Sequence, residues 1–186
     1  MSSSHNNNYA FNEMIVHIPL CSHKQPKHVL IVGNTIDENI KKEVLKHSLE
    51  NIEYGNNEII TKRNKKDIDV VIVTDNNIDS QLLANINRII KNDGILCFIS
   101  STYDQNSTKL QDDLKLVGDK FWITMPFRFE SNTCILASKK YHPVSDIILQ
   151  VSDLLPNLNY YSSAIHTSSF IFPVNIHKAL NGIAKR

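Results

Sequence analysis

The chain has 186 residues, of which 41% are hydrophobic, and 20 Lys and Arg against 19 Asp and Glu leave a formal net charge of +1. This length is enough for one domain with a buried core. The longest basic block is only residues 62–66, so the charge pattern argues against nucleic acid or an anionic membrane as a partner.

No apolar stretch approaches the roughly 18 to 20 residues that span a bilayer, and the N-terminus lacks an apolar signal core. We therefore expect a cytoplasmic protein. Residues 1–8 contain only Ser, His and Asn after Met1, too few apolar groups to offset the entropy of ordering, so we expect a disordered leader before a single domain over residues 9–186. The three cysteines are too few and too scattered for a disulfide framework or a zinc knuckle.

The first half of the domain alternates helical and strand patterns. Residues 9–20 carry apolar side chains at helical spacing, and Pro19 is expected to close this helix. The all-apolar run 29–32, followed by Gly33, is typical of a strand buried on both faces of a parallel sheet. An amphipathic helix over residues 36–46 is predicted next.

The rest of the chain continues the same alternation. The predicted elements are a strand at residues 70–73, a helix capped by Ser80 and ended by Asp93 and Gly94, a strand at 95–99, a helix from Ser107 to Gly118, antiparallel edge strands at 121–126 and 133–138, and closing helices at 144–155 and 174–184. This order predicts a doubly wound, Rossmann-like α/β fold with a mostly parallel sheet and antiparallel C-terminal strands.

In such a sheet, ligands bind beyond the carboxyl ends of the strands, so the residues that follow each strand are the first candidates. Residues 33–38 form a weak signal, since a glycine followed by polar residues is not a GxGxxG loop. The second loop places Asp75, Asn76, Asn77 and Asp79 together, and could hold a cationic amine and take a proton from it. The alternative is that its two aspartates only accept backbone N–H bonds in a turn.

Two other groups of residues are weaker candidates. His17, His23 and His28 could be imagined as a metal cluster, but helix, loop and strand positions at that spacing share no face, so no metal site is expected. The aromatic residues at 160–161 and 170–172 could stack a ligand, although an aromatic segment beside a closing helix is more often core.

Several blocks of the sequence, in the same order, resemble the spermidine synthase family. The blocks are 10–20 (AFNEMIVHIPL), 26–33 (PKHVLIVG), 43–47 (EVLKH), 69–75 (DVVIVTD), 91–96 (KNDGIL), Tyr160-Tyr161, Ile165-His166 and 170–173 (FIFP). The resemblance implies a methyltransferase-like fold and transfer of an aminopropyl group from decarboxylated S-adenosylmethionine to putrescine, giving spermidine and methylthioadenosine. It implies no metal or other cofactor, with decarboxylated S-adenosylmethionine as a co-substrate, and it implies a homo-oligomer.

The resemblance also assigns roles to residues. Asp75 stands where the family has the aspartate that deprotonates the attacking amine. Asn12 stands at the nucleoside-contacting Gln or His, Asp37 is nearest to the aspartate that contacts the donor, and Glu58 is the nearest stand-in for the ribose carboxylate. Together with the polar loop, the predicted substrate-binding residues are Asn12, Asp37, Glu58, Asn76 and Asp79.

The sequence also departs from the family pattern. Residues 33–36 replace a triple-glycine loop, and Phe11 replaces a tyrosine. Residues 48–69 are expected to be too few for the helix and strand that the family has there, and the small N-terminal β domain is expected to be absent. These departures favour the alternative of a catalytically degenerate homologue that retains the fold for subunit association or regulation. A methyltransferase that uses S-adenosylmethionine on another acceptor is a third hypothesis.

Overall fold

The computed structural model describes residues 8–75 and 78–186. Residues 1–7 of the disordered leader predicted for residues 1–8, and the substrate-binding role predicted for Asn76, therefore lie outside the described residues; Asn8 is described and caps α1. The elements in chain order are α1 (Tyr9–Ser22), β1 (His28–Val32), α2 (Glu38–Val44), β2 (Asn51–Gly55), α3 (Asn57–Lys62), β3 (Ile68–Val73), α4 (Ser80–Ile89), β4 (Ile90–Ser100), α5 (Tyr103–Gly118), β5 (Ile123–Phe129), β6 (Asn132–Ser138), α6 (Leu149–Ser152), α7 (Ser163–Ser168) and α8 (Val174–Ala179).

The strands form a six-stranded sheet in the order β2-β1-β3-β4-β6-β5. The first four strands are parallel, while β6 is antiparallel to both of its neighbours. Val32 is in register with Gly55 of β2 and with Val73 of β3, so these three strands end at one level. The predicted doubly wound sheet with antiparallel C-terminal strands is confirmed.

Helices cover both faces of the sheet because the central strands are apolar on both sides. In β1, Val29 and Ile31 pack into the core beneath α1 and α2, whereas Leu30 and Val32 pack into the core beneath α3, α4, α5 and α8. All six residues of β3 are buried. Alternation of side chains along each strand thus supplies two hydrophobic cores, one on each face.

Three predicted helix boundaries are wrong. Pro19 lies inside α1, because proline lacks only its own N–H and its carbonyl still accepts the His23 N–H at 3.2 Å. The cap of α4 is Asp79 rather than Ser80, with its Oδ1 accepting the Leu82 N–H at 2.7 Å. Asp93 does not end α4, since β4 begins directly at Ile90.

Gly94 does not end a helix. It lies inside β4, where the Ile90 side chain and the Asp69 backbone approach it closely. The ladder between β3 and β4 shifts register after the pair Ile68–Ile90, and resumes at Val70–Ile95. A Cβ on Gly94 would lie 2.5 Å from Ile90 Cγ1 and 3.0 Å from the Asp69 carbonyl oxygen. This irregularity has the character of a β-bulge, where glycine is commonly required.

Residues 48–69 do contain the strand and helix that we expected to be missing, namely β2 and α3. The two elements fit because they are short, with five and six residues. Strand β6 is not an edge strand as predicted, since it lies between β4 and β5. The closing helices are also shorter than predicted: only α6 and α8 form there. Among the described residues, no helix has the length and apolar character to span a membrane.

Candidate active site

The loops that follow β1, β2 and β3 meet at the carboxyl edge of the sheet. The Gly33 N–H donates to the Gly55 carbonyl at 2.9 Å, and the Thr74 N–H donates to the Val32 carbonyl at 2.8 Å. These bonds extend the ladders one residue beyond each strand. The residues after the strands are therefore held close together, as expected for the ligand-binding edge of an open α/β sheet.

Asp75 lies in this edge and is half-buried. Its Oδ2 accepts a hydrogen bond of 2.9 Å from the backbone N–H of Asn34. Its Oδ1 lies 3.6 Å from the position that a Cβ on Gly33 would take. The prediction that Gly33 and Asp75 share one edge of the sheet is confirmed.

Thr74 fills the space above Gly33. A Cβ on Gly33 would clash with Thr74 Oγ1, so a side chain at this position would require Thr74 to move. The Thr74 hydroxyl also donates to the Val32 carbonyl at 3.2 Å, which holds it in place.

Asn12 lies on α1 and is 3% exposed. Its Oδ1 is buried without a hydrogen-bond partner among the described residues. Buried polar atoms are almost always paired, so this acceptor is available for a hydrogen bond from a group outside the described residues, such as a ligand or water. The N-terminal end of α1 lies at the carboxyl edge of the sheet, because Tyr9 and Ala10 line one cavity with the turn between β5 and β6.

Glu13 is a buried residue of the site region that sequence reasoning did not single out. Its carboxylate accepts backbone N–H bonds from Asn159 at 2.8 Å, Tyr160 at 2.9 Å and Tyr161 at 2.8 Å. Glu13 thereby anchors the C-terminal segment against α1. The signal that could have indicated it was the pairing of two matching blocks, the Glu-Met block and the Tyr-Tyr block.

The other predicted substrate-binding residues each have a structural partner of their own. Asp37 caps α2 through a 2.8 Å bond from the Asn39 N–H, and Asp79 caps α4. Both carboxylates thus accept backbone N–H groups, which is the alternative that we considered for Asp79. Glu58 is exposed in the first turn of α3 and pairs with Lys62 at 3.2 Å. Among the described residues, no hydrogen bond or ion pair joins these three carboxylates to Asp75 or Asn34.

The three histidines considered as a metal cluster each have different partners. His17 Nδ1 lies 2.9 Å from His47 Nε2, and its Nε2 lies 2.9 Å from Glu43 Oε2. His23 lies beside Asp69, and His28 beside Glu50. Among the described residues, each of the three histidines therefore has its own side-chain neighbours.

His23, Asp69 and Asp93 do have potential ligand atoms within 4.8 Å of one another. They fit a metal poorly. His23 Nδ1 accepts the Gln25 N–H at 3.2 Å, so the proton of the neutral ring is on Nε2, which faces the carboxylates. Asp69 Oδ1 accepts a bond of 2.8 Å from Lys91, and this cation occupies the place that a metal would need.

Burial controls the protonation of the remaining reactive groups. It raises the pKa of the Cys21 thiol to about 12, and it raises the pKa of Cys97 as well. Burial also lowers the pKa of His47 to about 3 and that of His166 to about 4. The thiols are therefore unreactive, and these two histidines are neutral near pH 7.

Comparison with known proteins gives the same picture. The family model of the spermine/spermidine synthase domain matches residues 8–55. The polyamine aminopropyltransferase of Helicobacter acinonychis (strain Sheeba) is 34% identical over 107 residues, which are 55% of this chain and 41% of that protein. That of Lachnospira eligens (strain ATCC 27750 / DSM 3376 / VPI C15-48 / C15-B4) is 24% identical over 222 aligned positions, with 92% of this chain and 78% of that protein covered.

Solved structures show the same fold. A spermidine synthase in complex with the transition state analogue AdoDATO superposes with a TM-score of 0.83 and 20% identity, covering 94% of this chain and 76% of that chain. The spermidine synthase from Thermotoga maritima gives a TM-score of 0.81 and 21% identity, covering 94% of this chain and 75% of that one.

The chain is therefore a doubly wound α/β protein with the fold of the solved spermidine synthases. The chain is similar to the spermine/spermidine synthase domain over residues 8–55 and to polyamine aminopropyltransferases over longer stretches. It spans about two-fifths of the length of the Helicobacter relatives that it matches.

Proposed function

We propose that the chain transfers an aminopropyl group from decarboxylated S-adenosylmethionine to a primary amine, with putrescine as the acceptor that the resemblance implies. The observation that carries this proposal is the position of Asp75. It is a half-buried carboxylate at the carboxyl end of β3, oriented by the Asn34 N–H beside the loop that follows β1. Proteins of this fold bind ligands at that edge.

The reaction needs alignment and a base. A neutral amine nitrogen attacks the methylene carbon beside the sulfonium, a C–N bond forms, and the C–S bond breaks with its electron pair going to sulfur. The products are methylthioadenosine and an aminopropylated amine, whose surplus proton passes to the Asp75 carboxylate. The sulfonium is already a good leaving group, so the proposal includes no metal and no cofactor beyond the co-substrate.

Asn12 is the second residue that supports the proposal. Its buried Oδ1 has no partner among the described residues, so it can accept a hydrogen bond from the nucleoside part of the donor. Asp37, Glu58 and Asp79 stay in the proposal as residues near the carboxyl ends of the strands. In two of them, however, the carboxylate already caps a helix.

The second candidate function is a catalytically degenerate homologue that retains the fold for subunit association or regulation. Thr74 favours it, because its side chain occupies the space above Gly33. The bond from Asn34 also gives Asp75 a structural task that needs no chemistry. As part of the first proposal, we also expect small-molecule substrates, a homo-oligomeric state and a cytoplasmic location.

The experiment is an assay of methylthioadenosine release from decarboxylated S-adenosylmethionine and putrescine, with purified protein and chromatographic detection of the nucleoside. Release that depends on both substrates supports aminopropyl transfer. The same assay with S-adenosylmethionine tests the methyltransferase hypothesis by its different product, S-adenosylhomocysteine. Absence of both products, with a cooperative thermal melt, would establish the degenerate homologue instead.

A further inference from the structure

The C-terminal segment of the chain pairs with the outer edge of β5 at two places and leaves a space between them. Thr124 and Lys185 exchange backbone hydrogen bonds of 2.9 and 3.0 Å, and the Arg128 N–H donates to the Ser169 carbonyl at 2.9 Å. Pro126 lies two residues from each of these strand positions, so its nitrogen faces the same outer edge. Proline has no N–H to pair, so the segment can leave the edge here, and a cavity opens.

This cavity has a volume of about 550 Å³ and a mainly apolar wall. Met125 and Phe170 line its inner part and are each 4% exposed, and Phe172 contributes a second aromatic ring. Ile171 and Val174 also line it but are 66% and 70% exposed. This size and composition are typical of a small-molecule site, and an apolar ligand would cover the exposed side chains.

Two histidines line the cavity, and hydrogen bonds determine which nitrogen of each neutral ring has the proton. His142 Nδ1 accepts the N–H groups of Val144 and Ser145, both at 3.2 Å. His177 Nδ1 accepts a hydrogen bond of 3.0 Å from Arg186 Nη2. In both rings the proton is therefore on Nε2, which is an N–H donor.

Arg186 gives the cavity a positive charge. Within the described residues it has no ion-pair partner, and no carboxylate is among the residues of the lining. Burial lowers the pKa of His142 despite the nearby Asp146 carboxylate, and the Arg186 charge lowers it further, so this ring is neutral near pH 7. The Thr167 and Ser168 hydroxyls donate to carbonyls of their own helix. The polar side chains that remain available are a cation and N–H donors, which suit an anion.

The shape of the guanidinium and the aromatic wall narrow the class of anion. A guanidinium binds both oxygens of a carboxylate through two parallel N–H bonds, and aromatic rings pack favourably on one another. We propose that this cavity binds a small aromatic carboxylate, with its carboxylate on Arg186 and its ring against Phe170 and Phe172.

The cavity is separate from Asp75. Strands β4 and β6 lie between β3 and β5, so β5 is roughly 14 Å from β3 at about 4.8 Å per strand spacing. Met125 is level with Ile72 of β3 through the pairings across β6 and β4, and Asp75 lies three residues beyond Ile72. The inference therefore adds a second ligand site and does not depend on the proposed aminopropyl transfer.

The test is calorimetric titration of the full chain with 2-naphthoate and with 2-naphthamide, a neutral analogue of similar shape. We expect naphthoate to bind on the order of tenfold more tightly than naphthamide. Arg186→Gln should weaken naphthoate binding roughly three- to tenfold and leave naphthamide binding unchanged. Lys120→Gln, at an exposed lysine outside the cavity, is the control for net charge and should change neither affinity.

A second variant adds a negative charge to the lining. Val174→Asp places a carboxylate at the first residue of α8, where the helix N-terminus favours it, so the melting temperature should be retained. We expect this variant to weaken naphthoate binding more than naphthamide binding.

Equal affinity for the two probes, or unchanged naphthoate affinity in Arg186→Gln, would overturn the inference. Full displacement of naphthoate by an equal concentration of inorganic phosphate would also overturn it, because the site would then not select an aromatic carboxylate. Sedimentation at increasing protein concentration tests a second copy as the occupant. Naphthoate affinity that falls as the chain self-associates would assign this face to a contact between two copies and reject the ligand site.

Discussion

The backbone N–H of Asn34 donates a 2.9 Å hydrogen bond to Asp75 Oδ2, and this bond connects the loop after β1 to the loop after β3. The two loops come from neighbouring parallel strands, so the contact fixes the carboxylate at the edge where ligands bind in this fold. Catalysis and loop structure therefore make different demands on Asp75, and substitution separates them.

Asp75→Asn retains an oxygen that can accept the Asn34 N–H but cannot take a proton from an amine. If Asp75 is the base, turnover in the methylthioadenosine assay should fall by roughly 100-fold or more, while the melting temperature barely changes. Asp112→Asn is the matched control, since Asp112 is an exposed residue of α5 that pairs with Lys115 and has no part in the proposed site. Activity that survives Asp75→Asn would remove Asp75 from the mechanism.

We expect weak donor binding because Thr74 Oγ1 occupies the space above Gly33. Glu58, the nearest stand-in for the ribose carboxylate, also pairs with Lys62 on α3, and loss of one or two charge-assisted hydrogen bonds, each about 1.5 to 3 kcal/mol, weakens affinity by one to a few powers of ten. Calorimetry with decarboxylated S-adenosylmethionine measures it, and Thr74→Ala should tighten binding by opening this space. Micromolar affinity of the unsubstituted chain would contradict the prediction.

The sequence predicts the centre of this sheet well and its periphery poorly. Residues 29–32 and 70–73 are continuous apolar runs because β1 and β3 are buried on both faces. Strand β2 was missed because it is half-buried, and only Ile52 and Tyr54 among its residues are apolar. The inner position of β6 depends on pairing with β4, which local pattern does not reveal.

The candidate site, too, could be predicted from the sequence only in part. The proximity of Gly33 and Asp75 could be predicted, because the carboxyl ends of parallel strands meet at one edge. The positions of the Thr74 hydroxyl and of the Asn34 N–H depend on side-chain rotamers and loop conformation, which composition does not determine.

Glu13→Gln should destabilise the fold. Glu13 is 1% exposed, and its two carboxylate oxygens accept three backbone N–H groups of residues 159–161. A glutamine replaces one oxygen with an NH₂ donor that faces N–H donors, so we expect a loss of about 2 to 4 kcal/mol in the free energy of unfolding. Urea unfolding measures this loss. Glu50→Gln, at an exposed glutamate, should change stability by less than about 1 kcal/mol.

His17 on α1 and His47 after α2 form a buried pair. This pair predicts that the protein loses stability in acid. His17 Nδ1 lies 2.9 Å from His47 Nε2, and burial lowers the pKa of both rings, that of His47 to about 3. Glu43 and Lys46 are the charged groups beside the pair. In the unfolded chain, histidine titrates near 6.5. The unfolded state therefore binds more protons between about pH 6.5 and pH 3, and stability falls as the pH falls through this window.

Urea unfolding at pH 7 and pH 5 measures the effect, and the comparison with His47→Gln isolates it from the other buried histidines. In the unsubstituted chain, His47 should contribute a loss of about 2 kcal/mol between these two pH values, because protonation is available only to the unfolded state. His47→Gln removes the titrating ring but leaves an amide beside His17, so the drop in stability from pH 7 to pH 5 should be smaller by a similar amount. An equal drop in both proteins would mean that His47 is protonated in the folded state, and that the His17–His47 contact does not hold it neutral.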